Sequence, residues 1–208
     1  MIDLSHPIAS GMPVYPGDPA AQVIAIDSAD LSTPGDHHVN LGQMTLGLHA
    51  GTHMDAPFHF LNDGATIDRV PLDTCIGPAC CIRVHEANID REDLIAYDAI
   101  IRMVKRVIIA TGWFHRWGQD DYFTAHPVLT KNAAEYLRDC GVVLVGIDTP
   151  SVDHAPFETH YTLLGAGILI VENLTNLDAL PAAPFQFAAI PLAIKGRDAS
   201  PVRAVAWT

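Results

Sequence analysis

Three histidines and one aspartate stand close together in segment 49–59, which reads HAGTHMDAPFH. Apolar residues surround His49, His53, Asp55 and His59, so we expect the cluster to be partly buried. Buried polar side chains need partners, and a divalent metal ion would satisfy the whole cluster. Nitrogen and oxygen ligands without sulfur suit Zn²⁺, Mn²⁺, Fe²⁺ or Ni²⁺, and three protein ligands leave a position for water, as in catalytic sites. The alternative is a histidine network satisfied by hydrogen bonds alone.

The local sequence disfavours a helix for this cluster. His49 and His53 have the spacing of the two histidines in H-E-x-x-H zinc helices, but no Glu follows His49. Gly51 weakens a helix, and Pro57 pushes the residue before it towards extended geometry.

We predict instead a strand that ends near Leu48, followed by a turn at Ala50–Gly51 that aims the neighbouring polar side chains at one point. From Asp55 onward the chain is predicted to run extended. At ~3.3 Å per residue, His59 would then lie beside the metal without coordinating it. A histidine in that place can carry protons to or from the reacting groups.

Two further candidates lie in the second half of the chain. His160 stands in the segment THYTLL, and Glu172 follows the apolar run Ile168–Val171. A carboxylate at the end of an apolar strand is costly to bury unless it is paired or bound to metal. Taken alone, a residue of either kind is more often an ordinary paired side chain than a functional one.

Short apolar runs rich in branched residues predict that strands dominate the fold. We predict strands at 22–26, 39–48, 79–84, 106–110, 142–147, 168–171 and 202–207. Helices are expected only from an Asp90 cap to Tyr97 and from a Thr130 cap to Cys140. The prediction is a mixed α/β fold with a large, partly parallel or mixed sheet. No repeat or linker divides the chain, so we expect one domain over residues 1–208.

The bulk composition excludes several classes of partner. The formal net charge is −12, which argues against binding to nucleic acid or to an anionic membrane surface. The four cysteines form no C-x-x-C pair, so a thiolate zinc site is not expected. The N-terminal residues do not resemble a signal peptide and no apolar run is long enough to span a bilayer, so we expect a cytoplasmic protein.

The pattern HAGTHxDAPxH resembles the signature of the cyclase-like metal-dependent hydrolase family, which includes bacterial kynurenine formamidases and isatin hydrolases. The resemblance covers nearly the whole chain. Segments 3–8 (DLSHPI) and 12–18 (MPVYPGD) look like the family's start, and segments 146–151 (GIDTPS) and 160–177 look like its second half. It implies a swivelling β/β/α fold, a homodimer or larger oligomer, and a site for one or two divalent ions.

The resemblance also implies roles for individual residues. The metal ligands it implies are His49, His53, Asp55, His160 and Glu172. Asp55 and Glu172 match carboxylates that bridge two metals, and His59 matches the general acid/base. Zinc is the expected ion, with manganese as the alternative.

The predicted function is hydrolysis of the C–N amide bond of a small molecule. The first substrate is an aryl formamide such as N-formylkynurenine, which belongs to tryptophan catabolism. The alternatives are ring opening of a cyclic amide such as isatin or of a lactone, and a non-catalytic metal-binding module. Tyr15, which stands where the formamidases have Trp, is the predicted substrate contact. Phe58, Phe60 and Trp113 are further aromatic candidates, although such residues more often belong to the core than contact a substrate.

Overall fold

The fold is described by a computed structural model for residues 1–26 and 40–208. Within these residues the largest element is an eight-stranded sheet. Its strands lie in the order β1 (Ile2–Asp3), β12 (Ala199–Trp207), β11 (Phe185–Pro191), β5 (Ile76–Arg83), β7 (Arg106–Ala110), β9 (Leu144–Ile147), β10 (Leu169–Glu172) and β4 (His53–Asp55).

The sheet closes on itself because the first residues of β12 also pair with β4. β5, β7, β9 and β10 are parallel neighbours, and the remaining pairs are antiparallel. The parallel strands are the nearly continuous apolar runs of the sequence, as expected for strands covered on both faces. The predicted fold class, a strand-rich mixed sheet of the swivelling β/β/α type with few helices, is confirmed.

Side chains that alternate along the parallel strands build two hydrophobic cores. On one face, Ile109 and Val145 belong to a core completed by helix residues. On the other face, Ile108 belongs to a core inside the closed sheet, together with Met54 of β4 and Phe187 of β11. The site-bearing strand β4 is therefore fixed from within by apolar packing.

Five α-helices accompany the sheet within the described residues. They are α1 (Leu72–Cys75), α2 (Arg91–Leu94), α3 (Asp98–Val104), α4 (Lys131–Asp139) and α5 (Glu158–Gly165). Asp90 caps α2 through a capping box and Thr130 caps α4, as predicted. The predicted limit of two helices is wrong, because α1, α3 and α5 begin without a side-chain cap that the sequence could reveal.

Most predicted strands are present with shifted ends. The strands predicted at 22–26 and 106–110 are β2 (Gln22–Ile26) and β7, with the same bounds. The strand predicted at 39–48 corresponds to β3 (Leu41–Thr45), which pairs with β2, while Val39 lies outside the described residues. The predicted strands did not include β1, β4, β11 or the short parallel pair β6 (Asn88–Ile89) and β8 (Val128–Leu129).

The path of segment 49–59 differs from the predicted one. β3 already ends at Thr45 rather than near Leu48, and His53–Asp55 is itself a strand. Ala56 is extended (φ −98°, ψ 160°), as the following proline predicts. The extended run then ends, because Pro57–His59 forms one turn of 3₁₀ helix.

In the part of the chain described here, no helix is long and apolar enough to cross a membrane.

Candidate metal centre

The register between two antiparallel strands assembles the centre of the site. His53 of β4 lies directly opposite Glu172 of β10, and Asp55 lies two residues further along β4. Alternate residues of a strand point to the same face, so these three side chains share one face. His53 Nε2 lies 3.4 Å from Asp55 Oδ1 and 3.4 Å from Glu172 Oε2. All three residues are buried.

Helix α5 adds His160 to this centre. Its Nε2 lies 3.5 Å from Glu172 Oε1 and 3.9 Å from Asp55 Oδ2. The other ring nitrogen, Nδ1, lies 2.6 Å from Asp153 Oδ1. Asp153 Oδ2 accepts hydrogen bonds from the backbone N–H groups of Thr159 and His160. The first turn of α5 and Asp153 therefore hold the His160 ring in place.

The turn before β4 and the 3₁₀ turn after it bring in the remaining two histidines. His49 Nδ1 lies 2.9 Å from Asp55 Oδ1, and its Nε2 lies 2.8 Å from Asp198 Oδ2. His59 Nδ1 lies 3.5 Å from the same Asp198 oxygen. The rings of His49 and His59 are 4.2 Å apart between centroids. The structure thus brings together all six residues that the sequence singled out for metal binding and proton transfer.

The protonation pattern of His53 tests whether these residues fit a metal. Its Nδ1 lies 2.8 Å from the carbonyl oxygen of Gly51, which can only accept, so in the neutral ring Nδ1 carries the proton. The lone pair of Nε2 then faces two carboxylate oxygens. His53 Nε2 and both oxygens of Asp55 are buried without a hydrogen-bond partner. A cation between them removes this conflict, because buried polar atoms without partners are costly.

The distances between these atoms also suit a metal. Two ligand atoms bound to one ion at ~2.0–2.2 Å, at angles between octahedral and tetrahedral, lie roughly 2.8–3.6 Å apart. The contacts that Asp55 Oδ1 makes with His49 and His53 measure 2.9 and 3.4 Å. Within the described residues, there are two sets of three side chains whose ligand atoms lie within 4.8 Å of one another inside each set. The first set is His49, Asp55 and His59, and the second is His53, Asp55 and Glu172. Asp55 belongs to both sets, as a bridging carboxylate would.

The pKa shifts of the site residues show that a cation would enter a negative electrostatic field. Burial alone would lower the pKa of His160, but hydrogen bonds to Asp153 and Glu172 outweigh it and raise the pKa to about 10. Burial likewise opposes the charge of Asp55, yet the neighbouring His49 and His53 hold the pKa of that carboxyl well below its usual range. The carboxylates that keep the histidine rings protonated would attract a divalent ion in the same way.

A cavity of about 250 Å³ opens above the cluster. Its walls are largely aromatic, with Tyr15, Phe60, Phe123 and Phe157 beside the histidines. Phe60 stacks on the His160 ring at 4.5 Å between centroids. Tyr15, the predicted substrate contact, is 41% exposed at the cavity wall and meets Phe123 edge-on.

The other two aromatic candidates are placed elsewhere. Phe58 and Trp113 are not among the residues that line this cavity. Trp113 is held by a hydrogen bond from its Nε1 to the backbone oxygen of Tyr122.

Two acidic partners of the histidines were not predicted from the sequence. Asp153 closely follows the polar residues 148–151 at the end of a strand. That pattern indicated a possible site in this region but did not single out Asp153. Asp198 stands in the polar loop before β12 and its partner His49 is 149 residues away, so no local pattern connects them.

Comparison with known proteins identifies the family. A family model described as "Putative cyclase" matches residues 2–154. The chain is 36% identical over 217 residues to a kynurenine formamidase from Paracidovorax citrulli, covering 99% of this chain and 95% of that protein. The chain belongs to the Cyclase family, so the resemblance of segment 49–59 is confirmed.

Solved structures of similar proteins share the fold. Isatin hydrolase A from Labrenzia aggregata, bound to benzyl benzoate, matches with a TM-score of 0.86 at 26% identity, over 99% of this chain and 92% of that one. A "predicted metal-dependent hydrolase from Bacillus stearothermophilus" matches with a TM-score of 0.77 at 29% identity, over 98% of this chain and 95% of that one.

Proposed function

We propose that residues 1–208 form one metal-dependent amidohydrolase domain that cleaves the C–N bond of a small aryl formamide, with N-formylkynurenine as the first candidate. The observation that carries this proposal is the buried cluster of imidazole nitrogens and carboxylate oxygens around Asp55, at the floor of an aromatic cavity. The relative from Paracidovorax citrulli, a kynurenine formamidase, supports the choice of substrate.

The proposed metal ligands are His49, His53, Asp55, His160 and Glu172. Zinc, at one or two ions per chain, is the proposed metal, and manganese is the alternative that the nitrogen and oxygen donors also allow. A divalent ion in such a site supplies Lewis acidity and activates water for attack near neutral pH. Asp55 lies in both ligand sets and would hold two ions together.

His59 is the proposed general acid/base. It lines the cavity, and its Nδ1 faces Asp198, which leaves Nε2 as the nitrogen that can exchange a proton with substrate. Burial lowers the pKa of His59 below its usual value, so the ring is neutral near pH 7 and can accept a proton. Passing that proton to the anilide nitrogen matters because this nitrogen leaves poorly as an anion.

The aromatic walls are the proposed binding surface for the aryl ring. Phe60 and Phe157 lie 5.5 Å apart between centroids on one side, and Tyr15 and Phe123 form the other aromatic pair. Offset or edge-on contacts of a substrate ring with such side chains add to its burial energy.

Ring opening of a cyclic amide is the second candidate function. The match to isatin hydrolase A over nearly the whole chain favours it, because that reaction also breaks a C–N bond at a carbonyl. The third reading, a metal-binding module without catalysis, predicts no turnover of either substrate class. A homodimer or larger oligomer is the prediction from the family resemblance, to be tested by light scattering. A cytoplasmic location is the prediction from the sequence itself, to be tested by cell fractionation.

The experiment is a substrate panel with protein reconstituted with Zn²⁺ or Mn²⁺. The proposal predicts that formylkynurenine and simple aryl formamides are hydrolysed with higher kcat/KM than isatin and aryl lactones. A preference for isatin would support the second function. Metal-replete protein that turns over none of them would overturn both hydrolase proposals.

A further inference from the structure

The backbone of Asp198 lies against the segment that carries Asp55 and His59. It directly precedes β12, whose first residue, Ala199, pairs with Asp55 of β4. The backbone oxygen of Asp198 accepts a hydrogen bond of 2.8 Å from the N–H of Ala56. Asp198 is therefore held beside the chain that runs from Asp55 into the 3₁₀ turn of His59.

The side chain of Asp198 contacts two histidines with one oxygen. Oδ2 lies 2.8 Å from His49 Nε2 and 3.5 Å from His59 Nδ1. A carboxylate only accepts hydrogen bonds, so Nε2 of His49 carries a proton, and the Asp198 oxygen in front of His59 Nδ1 favours a proton on that nitrogen as well.

These two contacts have opposite consequences for the two rings. In the neutral form that binds a metal, the His49 ring keeps its proton on Nε2, so its lone pair lies on Nδ1, which is 2.9 Å from Asp55 Oδ1. The neutral His59 ring, with its proton on Nδ1, keeps its lone pair on Nε2. One carboxylate thus prepares His49 to bind metal through Nδ1 and His59 to accept a proton at Nε2. Carboxylates that orient metal-binding histidines in this way commonly raise metal affinity.

We propose that Asp198 is a positioning residue that fixes the tautomers of His49 and His59 together, coupling the metal site to the proton-transfer residue. The part that concerns His59 rests on the proposed function of this residue as the general acid/base. The part that concerns His49 depends only on metal binding.

The test compares Asp198→Ala with wild type and with the conservative Asp198→Asn, which keeps one acceptor oxygen. For Asp198→Ala we expect zinc affinity, measured by competition with a chelator, to fall about 10–100-fold. At saturating metal, kcat should still be lower by about tenfold or more, while KM changes less than about twofold. Asp198→Asn should recover part of both losses.

Asp68→Ala is the matched control for a purely structural effect. Asp68 Oδ1 accepts hydrogen bonds from Gly196 N, at 3.0 Å, and from Thr66 Oγ1, so it anchors the same loop without touching a histidine. If Asp198 acted only by anchoring this loop, Asp68→Ala would reproduce the losses of Asp198→Ala. Equal losses in the two variants would overturn the proposal.

Nitrogen NMR of zinc-loaded protein with isotope-labelled histidine reads the tautomers without any substrate. We expect a protonated Nδ1 on His59 and a protonated Nε2 on His49 in wild type, and a mixture of tautomers for His59 in Asp198→Ala. Unchanged tautomers in that variant would overturn the proposal. If the tautomers change as expected in Asp198→Ala but the wild-type protein hydrolyses no amide, the proposed function is refuted and only the part of the proposal that concerns His49 and metal binding stands.

Discussion

Replacing His59 by Gln separates three possible roles of this residue: proton transfer, metal binding and packing alone. Gln keeps a polar side chain of similar length but cannot act as a base or acid near neutral pH. The side chain of His59 is 29% exposed, and its Nδ1 lies 3.5 Å from Asp198 Oδ2. The structure therefore predicts that folding tolerates the change, since partly exposed pairs of this kind contribute about 0–1 kcal/mol.

The expected loss is in the chemical step. A positioned acid/base contributes about 10²–10⁴-fold to kcat, which corresponds to roughly 2.7–5.4 kcal/mol of activation free energy. The free energy of unfolding should change by no more than about 1 kcal/mol, or a shift in Tm of about 2–4 °C for a chain of this size. The catalytic effect is thus several times larger than the effect on stability.

The assay measures metal content, Tm and kcat on the same His59→Gln preparation. The acid/base role predicts full metal content, a nearly unchanged Tm and the large loss of kcat. His59 also lies in one of the two sets of ligand atoms around Asp55, so the competing role is that of a ligand. Metal content that falls in parallel with kcat would refute the acid/base role, and so would normal turnover in metal-replete protein.

Three further substitutions test the packing, the ligand set and the cavity. Gly146→Ala should lower the free energy of unfolding by about 1–3 kcal/mol in urea denaturation, because a Cβ there would lie 2.6 Å from Ile108 Cδ1 and 2.8 Å from Leu174 Cδ1; a change below about 0.5 kcal/mol would show that the core accommodates it. Glu172→Gln should weaken zinc binding more than about tenfold in chelator competition, with the Val152 N–H still satisfied by the amide oxygen, and unchanged affinity would remove this residue from the ligand set. Phe60→Leu should raise KM for an aryl formamide roughly 2- to 13-fold at unchanged metal content, and an equal KM would show that the aryl ring binds elsewhere.

Local chemistry was the part of the site that the sequence made predictable. His49, His53, Asp55 and His59 stand within one short segment, so their residue types alone indicate a metal site. Their detailed path was harder to predict, because a three-residue strand and a 3₁₀ turn leave no periodic pattern to recognise. The pre-proline geometry of Ala56 was the exception, since it depends only on its neighbour.

No local sequence pattern predicted which distant residues meet in the site. Glu172 meets His53 through the register of β10 and β4, and the residues alone gave no reason to prefer that pairing. The residues alone marked His160 and Glu172 as candidates, and the resemblance to a known family assigned them as metal ligands. Asp198 had neither a motif nor an apolar context, so its contacts with His49 and His59 became visible only in the structure.

Metal stoichiometry measured together with turnover tests the Asp55-centred site most directly. Protein purified without chelator should contain one or two equivalents of divalent metal per chain. Chelation should abolish hydrolysis of an aryl formamide, and added Zn²⁺ or Mn²⁺ should restore it in proportion to the metal bound. Protein that keeps full turnover after its metal content has been reduced to zero would contradict this account.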